Sequence, residues 1–318
     1  MAAQADILTV TLNPALDVAT SVPEVIAGPK LRCGQPRFDP GGGGVNVARA
    51  ICKLGGSAKA LIAVGGPTGT RLMDLLSAED VPALPVPISG ETRQSFAVTD
   101  DSTGAQYRFS VPGPIMTAHD AELLLAEITA HTTHDSYLVL SGGVAPGLSV
   151  DFPSQIVDAV AAKAPKVIVD TSYAALTQLI THPTVPIHLL RIDQAEAEQA
   201  ASHPMLTVAD SVSFATDLVA RGVAKTVVTG RGAEGSVLVS QDARFLCHPP
   251  VVTVRSKIGA GDAFVGSMTL ALARGARPEQ ALRNGVAAAS ATVSTEGTAL
   301  CEAERMQALL SECRITAL

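Results

Sequence analysis

The chain has 318 residues, 47% of them hydrophobic and 3% aromatic, with a formal net charge of −7 and no tryptophan. That length buries one large core or two unequal ones. The acidic balance argues against nucleic acid or an anionic membrane as a partner, and the scarcity of aromatics argues against recognition by base stacking.

In chain order, a β-rich apolar run at residues 7–12 gives way to 18–39, where Val, Pro and polar residues alternate without a helical period. Gly41-Gly42-Gly43-Gly44 then runs directly into a helical apolar pattern over 44–54, which ends at Leu54-Gly55-Gly56. A strand is predicted at 58–64 and a helix at 71–78. The runs 95–100 and 106–111 flank Asp101-Ser102-Thr103-Gly104, a hairpin signal. Beyond it, strands are predicted at 137–140, 166–169, 188–192 and 225–229, and helices at 120–130, 154–162, 208–221, 262–274 and 278–295. Mostly apolar strands alternating with amphipathic helices predict an α/β fold, a doubly wound and mostly parallel sheet flanked by helices. One domain over residues 1–318 is expected, with the strands of a small β-sheet lid inserted at about 13–40 and 92–111.

The stretch Gly259-Ala260-Gly261-Asp262 stands before an apolar helical run. Glycines at a helix start leave backbone N–H groups free at the positive end of the dipole, a site suited to nucleotide phosphates. A carboxylate there is repelled by bound phosphate. Asp262 is either a general base for a hydroxyl attacking phosphorus or an ordinary N-cap. The upstream glycines give a second Gly-rich helix start, where Asn46 offers a donor and an acceptor in the first turn. No Gly-Lys-Ser/Thr follows, so it is not a P-loop. Two such starts point to two ligands meeting. Gly230-Arg231-Gly232-Ala233-Glu234-Gly235 matches G-x-G-x-x-G, but Ser236-Val237-Leu238-Val239 continues as a strand, so a tight turn near the phosphates is predicted rather than a dinucleotide fingerprint.

The five cysteines (Cys33, Cys52, Cys247, Cys301, Cys313) are odd in number and lack C-x-x-C spacing, which reads as free or buried thiols in a reducing compartment. The N-terminus lacks the basic and apolar regions of a signal peptide, and no apolar run reaches the roughly 18 residues of a membrane span. A cytoplasmic location is expected. His131 and His134 have no partner at metal-ligand spacing.

With these residues in view, the chain resembles the ribokinase-like (PfkB-type) carbohydrate kinases along nearly its whole length. The resemblance rests on Thr9-Val10-Thr11-Leu12-Asn13-Pro14-Ala15-Leu16-Asp17, Lys30-Leu31-Arg32-Cys33, Pro40 through Ala50 and the Gly-Ala-Gly-Asp stretch, in the family's order. It implies an ATP-dependent phosphosugar kinase, first of all a 6-phosphofructokinase, with tagatose 6-phosphate and fructose 1-phosphate as neighbouring substrates. It also implies that Asp262 is the base, with Gly259, Ala260 and Gly261 cradling the transferred phosphoryl group. Asp17, Gly42, Gly43 and Asn46 would line the sugar site, and Arg93 would meet the sugar's phosphate, its planar guanidinium matching an oxyanion pair. Lys30 and Arg32 would lend cations across a lid-mediated homodimer. Arg191, Thr229, Gly230, Gly232 and Gly235 would hold ATP, while Glu196 and Asp193 would order Mg²⁺ through water. A monovalent cation such as K⁺ is a further expected cofactor. Asp193, Gly143, Gly230 and Lys257 depart from the family's usual residues, which leaves the phosphosugar open. Outside this class stand a catalytically silent sugar or nucleotide sensor and, on the 230–235 match alone, an NAD-linked oxidoreductase.

Overall fold

The computed structural model describes residues 4–295 and 299–318. Residues 1–3, on which part of the signal-peptide reading falls, lie outside that range. The first half of the chain runs β1 (Ile7–Thr11), β2 (Ala15–Val22), β3 (Arg37–Gly41), α1 (Gly43–Lys53), β4 (Lys59–Val64), α2 (Gly66–Ala78), β5 (Ala83–Pro87), β6 (Arg93–Asp100), β7 (Gln106–Ser110), α3 (Ala118–His131), β8 (Tyr137–Ser141) and α4 (Phe152–Val160). The second half runs β9 (Lys166–Asp170), α5 (Tyr173–Thr181), β10 (Ile187–Ile192), α6 (Gln194–Ala201), α7 (Val208–Ala220), β11 (Ala224–Gly230), β12 (Ser236–Ser240), β13 (Arg244–His248), α8 (Ala260–Ala273), α9 (Pro278–Val293), α10 (Ala303–Leu310) and β14 (Arg314–Ala317).

Ten strands form the main sheet in the order β14-β13-β12-β11-β10-β9-β8-β1-β4-β5. From β5 through β11 all neighbours are parallel, and β12, β13 and β14 continue antiparallel. Alternation within each strand sorts the core onto two faces. Tyr137 and Val139 of β8 pack with α1, α8 and α9, while Leu138 and Leu140 pack with α3, α4 and α7. The sheet is therefore doubly wound, as the alternation of elements predicts. Burying each large aliphatic side chain contributes about 1.5–3 kcal/mol, and with both faces covered the strands can be apolar throughout: β8 is buried at every position.

The chain leaves β1 toward β4 and β5, then returns to β8 and proceeds the other way through β9, β10 and β11. That reversal opens a crevice beyond the carboxyl ends of the strands, where ligands bind in open α/β sheets. A four-stranded sheet, β3-β2-β6-β7, is built from the excursions between the first helical units. Its β2–β3 and β6–β7 pairs are antiparallel and its β2–β6 pair is parallel.

Several elements were not legible in the periodicity. β5 (Ala-Leu-Pro-Val-Pro) carries two prolines, which an edge strand tolerates because one side of its backbone needs no partner. β13 and β14 lie at or next to the other edge and draw their order from pairing with neighbours. The short helices α5, α6 and α10 have too few turns for a periodic signal. No helix among the described residues is long and apolar enough to cross a membrane.

Candidate active site

The crevice is organised around the start of α8. Gly259 is its N-cap with φ 74°, a conformation glycine adopts without strain, and no side chain caps the helix. The first N–H groups of α8 are therefore unpaired donors at the positive end of the dipole. Asp262 lies in the first turn, three residues past the cap, so the N-cap alternative for it does not hold. Its carboxylate instead accepts a hydrogen bond from Asn46 Nδ2 at 2.9 Å, from the first turn of α1. The two Gly-rich helix starts do meet. Burial is the main force pushing the Asp262 carboxyl up to about 7 although part of the residue faces the open crevice; Asp170 adds to the rise, the Asn46 bond and Arg191 oppose it, and Asp17 adds a smaller push.

On the small sheet, Asp17 of β2 is also held high, at about 6, by burial; Arg93 pulls it down, Asp39 pushes it up, and Arg49 and Arg108 pull it down. Arg93, at the start of β6, donates to Ser110 Oγ at 3.0 Å, to the Val111 carbonyl at 3.3 Å and to the Asn13 carbonyl at 3.4 Å, while its buried Nε has no partner. Burial lowers its pKa and the nearby Asp17 raises it, the signature of a half-buried cation facing a carboxylate rather than a solvated surface charge. Gly43 presses against the end of β8: a Cβ there would stand 2.5 Å from the Gly142 nitrogen and Ser141 Oγ. Gly42 has φ 115° and its backbone packs on Thr11 and Pro14. Ser141 Oγ, buried and without a partner, borders a shallow recess lined by Leu12, Gly142, Gly143 and Thr171 among others.

On the other side of Asp262, Arg191 at the end of β10 pairs with Asp170 at the end of β9, 3.1 Å apart. Its guanidinium also backs the α8 start, since a Cβ on Gly261 would lie 3.2 Å from Nη1 and one on Gly230 would lie 3.5 Å from Nη2. Burial is the largest single influence and works against the Arg191 charge, but the attraction and hydrogen bond of Asp170, together with the charges of Asp193 and Glu196, leave its pKa raised. Asp193 and Glu196 form the capping box of α6, each accepting from the other's backbone N–H at 2.8 and 3.0 Å. Burial, followed by repulsion from Asp193 and Asp170, nonetheless lifts Glu196 to about 7 against the pull of its backbone bond and Arg191. Thr229 Oγ1 is buried and unpartnered beside them. The stretch 230–235 joins two antiparallel strands through a short 3₁₀ turn at Gly232–Glu234 and Gly235 at φ 107°, so it is the predicted tight turn and opens no helix. Buried Arg231 pins it through Glu234 at 2.6 Å and Ser211 at 2.7 Å.

Lys30 and Arg32 stand exposed in the β2–β3 connection, and Lys257 is exposed before α8. Sequence reasoning passed over Asp170, although a carboxylate closing an apolar run marks the carboxyl end of a parallel strand, where ligands bind. It also passed over Arg49 in the middle of a helical pattern, whose role only its neighbours reveal.

The model of the pfkB family carbohydrate kinases matches residues 13–305. The ATP-dependent 6-phosphofructokinase isozyme 2 of Mycobacterium tuberculosis is 38% identical over 301 residues, covering 95% of this chain and 88% of that protein. Its Escherichia coli namesake is also 38% identical, with 95% and 96% covered. The crystal structure of phosphofructokinase-2 from E. coli in complex with potassium superposes with a TM-score of 0.92 at 37% identity, covering 97% of this chain and 99% of that one. The same E. coli protein has been crystallised with fructose-6-phosphate and in a tetrameric inhibited form.

Proposed function

Because the chain belongs to the pfkB family of carbohydrate kinases, we propose that it transfers the terminal phosphoryl group of ATP to the 1-hydroxyl of fructose 6-phosphate, giving fructose 1,6-bisphosphate and ADP. One observation carries the chemistry: Asp262 stands beside the uncapped N-terminus of α8 with Asn46, a sugar-side residue, bonded to its carboxylate. A carboxyl held near 7 by burial is a base matched to neutral pH. It takes the proton from the attacking hydroxyl as that oxygen bonds to phosphorus and the bond to the ADP oxygen breaks. The N–H groups of Gly259, Ala260 and Gly261 receive the charge on the transferred group, so positioning and electrostatics supply the catalysis.

Asp17, Gly42, Gly43 and Asn46 hold the sugar, and Arg93 binds its phosphate. Arg191, with Thr229, Gly230, Gly232 and Gly235, lines the path of the nucleotide phosphates. Among the described residues no three of His, Cys, Asp or Glu converge as a direct metal shell. Glu196, lifted by burial and by repulsion from Asp193 and Asp170, stands with Asp193 as a carboxylate pair that suits an ion keeping its water. Asp193 and Glu196 would hold Mg²⁺ there through water, and it would supply positive charge to the ATP phosphates. The capping box would keep both side chains in place for it.

Aromatic residues on β6 and the edge strand β7 of the small sheet support a homodimer. Phe96 and Phe109 are opposite each other in register and 38% and 56% exposed, with Tyr107 at 41%. Lys30 and Arg32 extend from the same sheet and would reach a partner's site. Free thiols and the absence of a membrane-spanning helix among the described residues suit work in the cytoplasm. An ADP-release assay against fructose 6-phosphate, tagatose 6-phosphate, fructose 1-phosphate, fructose, ribose and adenosine, run in K⁺ and in Na⁺, tests this reading. Fructose 6-phosphate should be turned over best. Equal turnover of fructose and fructose 6-phosphate would sink the assignment.

A further inference from the structure

Asp262 meets one face of the Asn46 amide, and the other face meets Arg49. Arg49 is one turn along α1 and 2% exposed. Its Nε and Nη2 grip both oxygens of Glu79, the residue that ends α2, at 2.7 and 2.6 Å. Its Nη1 donates to the Asn46 Oδ1 at 3.2 Å and to the Pro40 carbonyl at 3.0 Å. A side-chain amide has two orientations of nearly equal shape, half a turn apart, and only its partners decide between them. Here the turned orientation would set the Asn46 NH₂ against the guanidinium, donor against donor, and the carbonyl against the Asp262 carboxylate, acceptor against acceptor.

We propose that Arg49 is the positioning residue of the catalytic base, locking the Asn46 amide so that its NH₂, and never its carbonyl, faces Asp262. The inference rests on the reading of Asp262 as base. Arg49 is buried and acts through the amide. Glu79 holds the guanidinium in one plane, the guanidinium holds the amide, and the amide donates to the carboxylate. The same Nη1 reaches Pro40, so one side chain also ties the end of β3 to α1 across the glycine run. The groups facing Asp262 from the packed elements are Asn46 on α1, Asp170 on β9, Arg191 on β10 and Asp17 on β2. Two of these are carboxylates that favour the protonated base, so the Asn46 donor and the Arg191 charge carry its ionisation. Losing the donor moves that balance toward the proton.

The test is the pH profile of kcat for wild type, Arg49→Met and Arg49→Lys, each also made in an Asn46→Ala background, with melting temperatures alongside. In Arg49→Met the acidic limb should move to higher pH by about one unit, the worth of a hydrogen bond to a charged group. That is a loss of about tenfold in kcat at pH 6.5, recovered near pH 9, with the KM for ATP within about twofold of wild type. Arg49→Lys, which keeps the charge on a compact ammonium but loses the planar fork that holds Glu79 and Asn46 at once, should fall between. In the Asn46→Ala background Arg49→Met should move the limb no further. A folded Arg49→Met with the wild-type limb overturns the proposal, as does a shift that persists without Asn46. Should Arg49→Met fail to fold, Arg49→Lys and Glu79→Gln decide: both should show a smaller shift of the same sign, and an unmoved limb in both overturns it. Asp262→Asn separates the two levels. A near-wild-type kcat there removes the base itself, whereas a dead Asp262→Asn with unmoved Arg49 profiles removes only the positioning role.

Discussion

Replacing Asp262 by Asn separates catalysis from stability on a single atom. The amide keeps the shape of the carboxylate and can still accept from Asn46, but it takes no proton. Loss of general-base help should lower kcat by about 10²–10⁴-fold, and ATP affinity should hold or rise because a negative charge beside the phosphates is gone. Stability should move the other way. Carrying the carboxyl from 3.8 to about 7 costs the folded state at most roughly 4 kcal/mol once it is ionised. The residue is partly open to the crevice, and solvent screening brings the working figure to about 2 kcal/mol. The folded carboxyl holds its proton more tightly than the unfolded one. The penalty on the wild type is therefore absent below about pH 4, grows as pH climbs toward 7 and is constant above. At roughly 2 °C per kcal/mol for a chain of this length, the variant should melt about 2 °C above wild type at pH 5.5 and about 4 °C above it at pH 8. Single-turnover kinetics, nucleotide titration and thermal melts at those two values read all three effects. A kcat near wild type, or a melting difference of the same size at both pH values, would refute the reasoning.

Arg93→Ala should raise the KM for fructose 6-phosphate by roughly 10–100-fold, since a charge-assisted contact is worth about 1.5–3 kcal/mol, and should leave the weak turnover of free fructose alone. An unchanged KM returns Arg93 to a purely structural role in its bonds to Asn13, Ser110 and Val111. Gly43→Ala puts a methyl group 2.5 Å from the Gly142 nitrogen and Ser141 Oγ. We expect it to cost about 1–3 kcal/mol through overpacking and to weaken the sugar site with it, as melting and KM measurements would show. Phe109→Asp charges the exposed aromatic face of the small sheet and should shift the assembly to smaller species in light scattering, while the secondary structure measured by circular dichroism stays intact.

The alternation of apolar strands with helices, and two glycine runs each opening a helix, carry the α/β architecture in local terms, because strand period, helix period and free N–H groups are properties of neighbouring residues. The same holds for the 230–235 turn, where the strand that follows already rules out a helix, and for the hairpin of β6 and β7 around Asp101-Ser102-Thr103-Gly104. Edge strands and short helices were not legible, since β5, with its prolines, and α5, α6 and α10 owe their order to what packs beside them. Within the site, the sequence could nominate Asp262 from its residue type and setting, and Asp17 and Arg93 only through the resemblance to the family. It could not say that Asp262 lies past its helix cap, that residues 216 positions apart share a hydrogen bond, or that Arg49 stands behind Asn46. Asp170 and Arg191 meet only because β9 and β10 end side by side. Burial and the charges of distant strands set the proton affinities of Asp17, Glu196 and Asp262. Desolvation and Coulomb terms depend on distance in space rather than along the chain, so they come into being only when the sheet has closed.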